Sequence, residues 1–175
     1  MEILIPGLIL VALMVYASTK IKKSAAEAYE EETIETAGIT ILKPEGFISP
    51  VFPDEGFILT AHSREFGYDA AGDQSRASAE IRFIEATTTA DLIVSLNAEL
   101  PDEDHIIVGE ISQIDSSKHL TGTSSELKNG IRSQVKYRWI ETDSGVYQLK
   151  ARYLEDHAEE FATAVEKMID SFRVQ

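Results

Sequence analysis

Two alternating runs near the C-terminus constrain the fold more than any other feature of this chain. In the first, Ile131, Val135, Tyr137 and Trp139 alternate with Arg132, Gln134, Lys136 and Arg138. In the second, Tyr147, Leu149, Ala151 and Tyr153 alternate with Gln148, Lys150 and Arg152. A period of two is the signature of a strand, whose side chains point to opposite faces in turn. Thr142-Asp143-Ser144-Gly145 between the runs has turn composition, so the segment reads as an antiparallel hairpin with one buried and one wet face. A helix follows to cover it. Ala158, Phe161, Ala162, Val165, Met168, Ile169 and Phe172 recur at spacings of three and four, with Glu155 and Asp156 placed favourably at the helix N-terminus.

Upstream, Thr33 to Leu42 reads as a strand opening the domain, with Ile34, Ile39 and Ile41 as its apolar members. Lys43 to Gly56 contains three prolines and reads as an ordered loop whose Phe47 and Phe52 pack onto the sheet. Phe57 to Ser63 is a second strand and Gly67 to Ser75 a turn-rich connection. Ala77 to Glu85 alternates, with Ala79, Ile81 and Phe83 on one face. Thr88 or Thr89 can cap a helix running to Leu100, with Leu92, Ile93 and Leu96 as its apolar stripe and Pro101 at its end. Ile106 to Ile114 and His119 to Leu127 read as extended segments. Strands and interspersed helices in this order predict an α+β sandwich with a largely antiparallel sheet.

The N-terminus is different. Ile3 to Ala17 carries no charge and as a helix spans roughly 22 Å, short of the roughly 30 Å hydrocarbon core of a bilayer. Ser18 and Thr19 extend it by bonding back to helix carbonyls, and Lys20, Lys22 and Lys23 can snorkel to the interface. Tyr16 sits where an interfacial aromatic belongs, and Pro6 falls in the first turn, where its missing N–H costs nothing. The segment is therefore read as a transmembrane anchor over residues 1–23, carried by Ile3, Leu4, Pro6, Gly7, Leu10, Leu13, Tyr16, Lys20, Lys22 and Lys23. A cleaved signal peptide is the rival reading, with Val15-Tyr16-Ala17 as its cleavage tripeptide, but the basic cluster lies on the wrong side of the apolar run for one. Gly7 and Ala12 could admit close helix packing. Three lysines follow the run and none precedes it, which puts the N-terminus outside and the domain in the cytoplasm. Residues 24–33 form a helical, acidic stalk, and 34–175 the domain.

The net charge of −14 repels phosphate backbones, which argues against nucleic-acid binding, and disfavours lying flat on anionic lipid. The chain has no Cys, hence no disulfide or thiolate chemistry. His62, His105, His119 and His157 are scattered, with no pair at ligand spacing. Pro101-Asp102-Glu103-Asp104-His105 is a dense acidic cluster without the glycine and alternating oxygens of a calcium loop. No nucleophile elbow, Walker loop or dinucleotide fingerprint is present. Ser116, Ser117, Ser124 and Ser125 lie in polar connections with no histidine placed to activate them. These readings assign no catalytic residue, cofactor or metal. They single out instead Arg132, Lys136, Arg138, Lys150 and Arg152, which simple alternation places together on the outward hairpin face. They form either ordinary cross-strand ion pairs or a docking face for an acidic partner.

Three segments together resemble the PsbP-like family. An early strand runs into a Pro-x-Gly-aromatic turn, Gly38 to Phe47 (GITILKPEGF); a late hairpin spans Val135 to Tyr153; and the terminal helix closes on Met168 to Arg173 (MIDSFR). Phe47 stands where a Trp is common in that family. The similarity covers the ends of the domain well and its middle poorly. It implies a central antiparallel sheet between helices and a role in binding, assembling or stabilising other proteins, often in membrane complexes. It brings no catalytic residues. The photosystem member of the family works on the lumenal side, against the cytoplasmic placement that the lysines favour here. The expected function is a non-catalytic accessory or assembly subunit of a respiratory or photosynthetic membrane complex, its partners the bilayer and integral subunits. The alternative is a tethered binding module for a small ligand or peptide, using a groove between sheet and helix.

Overall fold

The computed structural model describes residues 13–20, 23, 26–64, 75–101, 104–114 and 117–175. The hairpin forms as its alternation requires, with strand β8 at Ile131–Thr142 and β9 at Gly145–Leu154. It lies within a seven-stranded antiparallel sheet whose other strands are β3 (Phe47–Ile48), β4 (Leu59–Ser63), β5 (Ala77–Glu85), β6 (Ile107–Ile114) and β7 (Ser117–Lys128), in the order β3-β4-β5-β9-β8-β7-β6. A three-stranded sheet joins β1 (Glu32–Thr36), β2 (Ile39–Lys43) and β10 (Arg173–Val174), with β2 in the centre. Helix α2 is Thr89–Glu99 and α3 is Ala158–Ser171, while residues 13–20 begin the described chain as helix α1.

The hairpin register overturns the expectation of one wet face. Thr142 pairs with Gly145 across a two-residue turn, so an odd-numbered residue of β8 always faces an even-numbered one of β9: Tyr137 opposes Lys150, and Arg138 opposes Leu149. The apolar positions are odd in both strands, so the two sets point to opposite sides of the sheet. Both faces consequently need a cover. On one side Leu149, Ala151, Tyr153, Ile140, Ile81, Ala79 and Ala61 pack against Phe161, Val165, Met168 and Ile169 of α3, and Ile39 and Ile41 of the small sheet close this core. On the other, Val135, Tyr137, Trp139 and Val146 pack with Leu120, Ile106 and Leu92, and Ile93, Leu96 and Leu100 join them from α2 and its end.

Trp139 is fully buried in the second core. Its ring stacks on Tyr137 with centroids 5.0 Å apart, a contact that adds about 0.5–1.5 kcal/mol beyond burial. The space for it comes from β7, where any Cβ at Gly122 would lie 2.8 Å from the indole. Thr88 caps α2 by accepting from Asp91 N, and the carboxylate of Glu141 on β8 accepts from Thr89 N at 2.8 Å. The helix is thereby fixed at the hairpin-tip end of the sheet.

Three local expectations give way. The single strand expected over Thr33 to Leu42 is the pair β1–β2, turned at Ala37 and Gly38, both at positive φ; the turn bends back because two left-handed residues match the strand twist. Phe47 is buried and meets Phe161 edge-on, but Phe52 is 87% exposed on a proline-bounded tip beside Val51. The helical stalk ends at Glu27, and the chain turns at Ala28 and Tyr29 to enter β1. Among the described residues no helix is long and apolar enough to cross a membrane. Ile3, Leu4, Pro6, Gly7, Leu10 and Lys22 of the expected anchor lie outside the described residues, as does most of the Gly67–Ser75 connection.

Candidate functional site

Among the described residues, the side of the sheet opposite α3 is only half covered. At the tip end of the hairpin it carries the Trp139 core and α2. Toward the other end its outward positions turn polar, and register aligns them in rows across the strands: Thr60, Glu80, Lys150 and Tyr137 in one, His62, Ser78, Arg152 and Val135 in the next. Ser133 and Glu126 pair beyond them. Two adjoining cavities lie over this area. The larger, about 550 Å³, runs from Pro50 and Asp54 across Thr60, His62, Ser75, Ser78 and Glu80 to Lys128 and Arg152. The smaller, about 190 Å³, is lined by Ser78, Glu80, Glu126, Lys128, Ser133, Lys150 and Arg152. Shared walls make them one groove.

Electrostatics at its floor is set by Lys150, whose Nζ lies 2.8 Å from the Glu126 carboxylate. Burial works against the Lys150 charge, but the hydrogen bond to Glu126, then Tyr137, and the further field of Glu126 and Glu80 outweigh it and raise the pKa above its usual value. Tyr137 is raised chiefly by burial, which the Ser124 hydroxyl and Lys150 partly offset. Lys150 thus stays charged and is bracketed by carboxylates. Lys128, at the exposed end of β7, has no ion pair among the described residues. The groove holds fixed charges of both signs and several hydroxyls, a surface suited to hydrogen bonding with a polar, extended partner.

The five basic residues expected on one face are divided between two. Lys150 and Arg152 belong to the groove. Lys136 and Arg138 point to the α3 side, where Lys136 pairs with Glu166 and Arg138 is buried. Arg138 Nη1 donates to the Ile169 carbonyl at 3.3 Å and Nη2 lies 3.2 Å from His119 Nδ1; burial, then Arg173, lowers its pKa. Arg132 sits at the base of the hairpin, donating to Ser125 Oγ at 2.9 Å and lying 3.8 Å from Glu155 and 3.9 Å from Asp104. Parity is the cause: the same two-residue turn that divides the apolar positions divides the cations. The groove between sheet and α3, where a ligand was expected under the alternative reading, is filled by Phe161, Val165, Met168 and Ile169.

A second feature was not anticipated. Lys43 is 3% exposed, and its ammonium donates to three carbonyls, Ala28 at 3.0 Å, Glu30 at 2.5 Å and Phe47 at 3.1 Å. Gly46 N donates to Tyr29 O at 2.8 Å, the Arg64 guanidinium lies 5.7 Å over the Tyr29 ring, and Glu31 lies 3.6 Å from Lys167. The stalk end is clamped to the domain. The signal in the sequence was a lysine at an inward position of an alternating strand, since Ile39, Ile41 and Lys43 share one side.

No protein-family model matches the chain, and no curated protein matches it. Solved structures do. The cyanobacterial PsbP (CyanoP) of Synechocystis superposes with a TM-score of 0.55 at 11% identity, covering 84% of this chain and 94% of that one. The fold is PsbP-like. LpqN of Mycobacterium tuberculosis, a protein involved in cell envelope biogenesis, superposes with a TM-score of 0.58 at 14% identity, covering 83% and 91%. Identities this low speak for the PsbP-like architecture and leave its surfaces to be read from this chain's own residues. The motifs that carried the resemblance fall on that architecture: Gly38 to Phe47 spans β2 and the turn into β3, and Met168 to Arg173 runs from the end of α3 into β10.

Proposed function

We propose that this chain is a membrane-tethered docking domain, a non-catalytic accessory or assembly subunit of a larger membrane complex. The observation that carries the reading is the surface of α1. Leu13, Met14, Val15 and Tyr16 are consecutive, so they point around the whole helix circumference, and each is exposed. A helix apolar on every side needs an apolar surrounding, and the continuous apolar run from Ile3 makes a bilayer the fitting one. Thr19 Oγ1 bonds back to the Val15 carbonyl at 2.8 Å, which satisfies a hydroxyl in such a segment. Lys20 and Lys23 follow at the interface, on the side that the positive-inside rule assigns to the cytoplasm. The PsbP-like fold agrees with a binding role, as does the envelope-biogenesis role of LpqN.

The test uses the full chain with a C-terminal tag, extracted from native membranes in mild detergent. A stoichiometric set of integral membrane subunits should co-purify. Removal of residues 1–23 should move the domain from the membrane pellet to the supernatant. Recovery of the intact protein alone would overturn the accessory reading and favour the tethered ligand-binding module, with the open groove in place of the filled sheet–α3 interface. Protease added to intact spheroplasts should spare the domain if it is cytoplasmic.

A further inference from the structure

The small sheet ends in an open strand. β2 lies between β1 and β10, so among the described residues no strand pairs with the far side of β1. Thr36 pairs with Ile39 across the two-residue turn at Ala37 and Gly38. That closing pair exchanges hydrogen bonds, and so, at alternate positions, do Ile34 with Ile41 and Glu32 with Lys43. Thr33 and Glu35 therefore aim their N–H and C=O groups away from β2, at the open edge. The other side of β2 agrees: Leu42, which faces Thr33, turns its N–H to Ser171 Oγ at 2.9 Å. Every residue of β1 is exposed except Ile34, which is half-buried. The carbonyls of Ala28 and Glu30 accept from Lys43, so the strand is fixed at its start by the clamp and at its end by the turn. Its edge is held extended before anything binds.

We infer that the open edge of β1 receives an extended, Lys- or Arg-bearing segment of an integral membrane partner, which adds a fourth strand to the small sheet; this rests on the tethered-docking reading above. The backbone groups of Thr33 and Glu35 supply the pairing, as in other cases of strand addition. Charge complementarity chooses the occupant. No Lys or Arg lies between Lys23 and Lys43, and the Lys43 ammonium is committed to three carbonyls. Glu27 is engaged by Lys23 and Glu31 by Lys167, while Glu30, Glu32 and Glu35 have no ion pair among the described residues. Acids along an edge repel a second copy of a chain with net charge −14 and an anionic lipid surface, and they favour a basic strand. Opposite Glu32 and Glu35 the incoming strand presents Lys or Arg, and opposite Ile34 an apolar residue, with cross-strand Cβ atoms about 5 Å apart. Such segments are at hand beside the bilayer. β1 starts nine residues beyond Lys23, at most roughly 32 Å of extended chain, and the loops of integral proteins on the side marked by Lys20 and Lys23 are rich in Lys and Arg.

Photo-crosslinking in native membranes tests this with the full chain carrying benzoylphenylalanine at the exposed Thr36. The expected product joins it to a partner peptide that contains Lys or Arg and borders a membrane span. E32K combined with E35K should lower the yield about tenfold, since two attractions become repulsions. E99K combined with E110K makes the same change in net charge at two exposed sites elsewhere and should leave the yield within twofold. T33P removes one outward N–H and no β1–β2 hydrogen bond, and should lower the yield several-fold with every charge unchanged. Cross-links to lipid only, to a second copy of this chain or to a segment without Lys or Arg would overturn the inference. So would a yield that ignores both E32K/E35K and T33P, or that E99K/E110K lowers equally. If the integral subunits co-purify but Thr36 forms no cross-link to them, the docking reading stands and this inference falls. If the wild type purifies alone, both fall.

Discussion

Replacing Lys43 by Met removes a buried ammonium and keeps an apolar stem of similar length. Three hydrogen bonds from a charged donor are lost, to Ala28, Glu30 and Phe47. Each contributes about 1.5–3 kcal/mol, offset by several kcal/mol for holding an ammonium out of water. The net loss is on the order of 2–3 kcal/mol. Two of the orphaned carbonyls belong to the stalk, which can lift away and regain water, so the loss is capped by the free energy that docks residues 28–31. Undocking is then local. Thermal unfolding of K43M should fall by only a few degrees, at about 2–4 °C per kcal/mol for a chain of this size. Opening of the stalk should rise about thirtyfold, as roughly 2 kcal/mol implies. Hydrogen exchange at Gly46 N–H, which donates to Tyr29 O, reads that opening, and so does cleavage after Glu30 and Glu31 by a glutamate-specific protease. Exchange and cleavage within twofold of wild type would show that Lys43 does not hold the stalk.

Three further outcomes follow from the packing. Gly122→Ala should destabilise the protein by about 1–3 kcal/mol, the range for overpacking, because its Cβ would meet the Trp139 ring at 2.8 Å and Ile106 at 3.1 Å; a thermal melt checks it, and an unchanged midpoint with unchanged Trp fluorescence would refute the close contact. Gly145→Ala should be worse than Gly122→Ala, since its Cβ would lie 2.2 Å from the Ile84 carbonyl at a φ of 152°, and backbone yields less than a side chain. The backbone hydrogen bond from Thr89 holds the Glu141 pKa below its usual 4.5, with Lys118 adding to the effect and burial opposing it. The stabilisation is therefore present above about pH 4.5 and lost as pH falls through the lower folded value; the melting difference between wild type and Glu141→Gln should shrink over that window, and a constant difference from pH 7 to 3.5 would count against the α2 tether.

Long periodic segments were legible in the sequence and close-range geometry was not. β5, the α2 cap at Thr88, the hairpin and α3 lie where their periods place them, because apolar spacing reports directly on which residues must leave water. The face assignment failed for a reason that the sequence does contain. A two-residue turn makes paired positions sum to an odd number, so Tyr137 and Lys150 share a side, while strand alternation alone would separate them. Turn length, not alternation, decides which strands' apolar sets coincide. Ala37 was missed because alanine at positive φ is uncommon and Gly38 alone is a weak turn signal. The aromatic chemistry of Phe52 points to the core, but the structure holds it 87% exposed on a tip between Pro50 and Pro53. Lys43 reads as a surface residue by type, and only its inward register reveals the clamp.

The groove itself follows from element lengths once both hairpin faces are apolar at the tip end. Helix α2 has 11 residues and shields at most roughly 16 Å, whereas β8 has 12 residues and extends roughly 40 Å. Among the described residues α2 is the one helix on that face, and it is too short to cover it. The opposite face receives α3, with 14 residues, and in addition the small sheet brought up by β1, β2 and β10. A chain with this arrangement must make the uncovered half of its strands polar or leave apolar area in water, and Thr60, Ser78, Glu80, Lys150, Arg152 and Ser133 are where it has done so. Polarity alone would be satisfied by solvent. The same residues form a concavity with cations at the stalk end, and a sheet that only needed wetting would have no reason to bound that concavity with the Pro50–Asp54 loop. That loop carries Val51 and Phe52, 88% and 87% exposed, at the rim of the larger cavity that Pro50 and Asp54 line. An apolar lip beside a polar trough is in keeping with the docking role proposed above, and under that proposal removing the lip by Val51→Ser with Phe52→Ser should weaken co-purification while leaving the thermal midpoint within about 2 °C, since neither side chain contributes buried area to the fold.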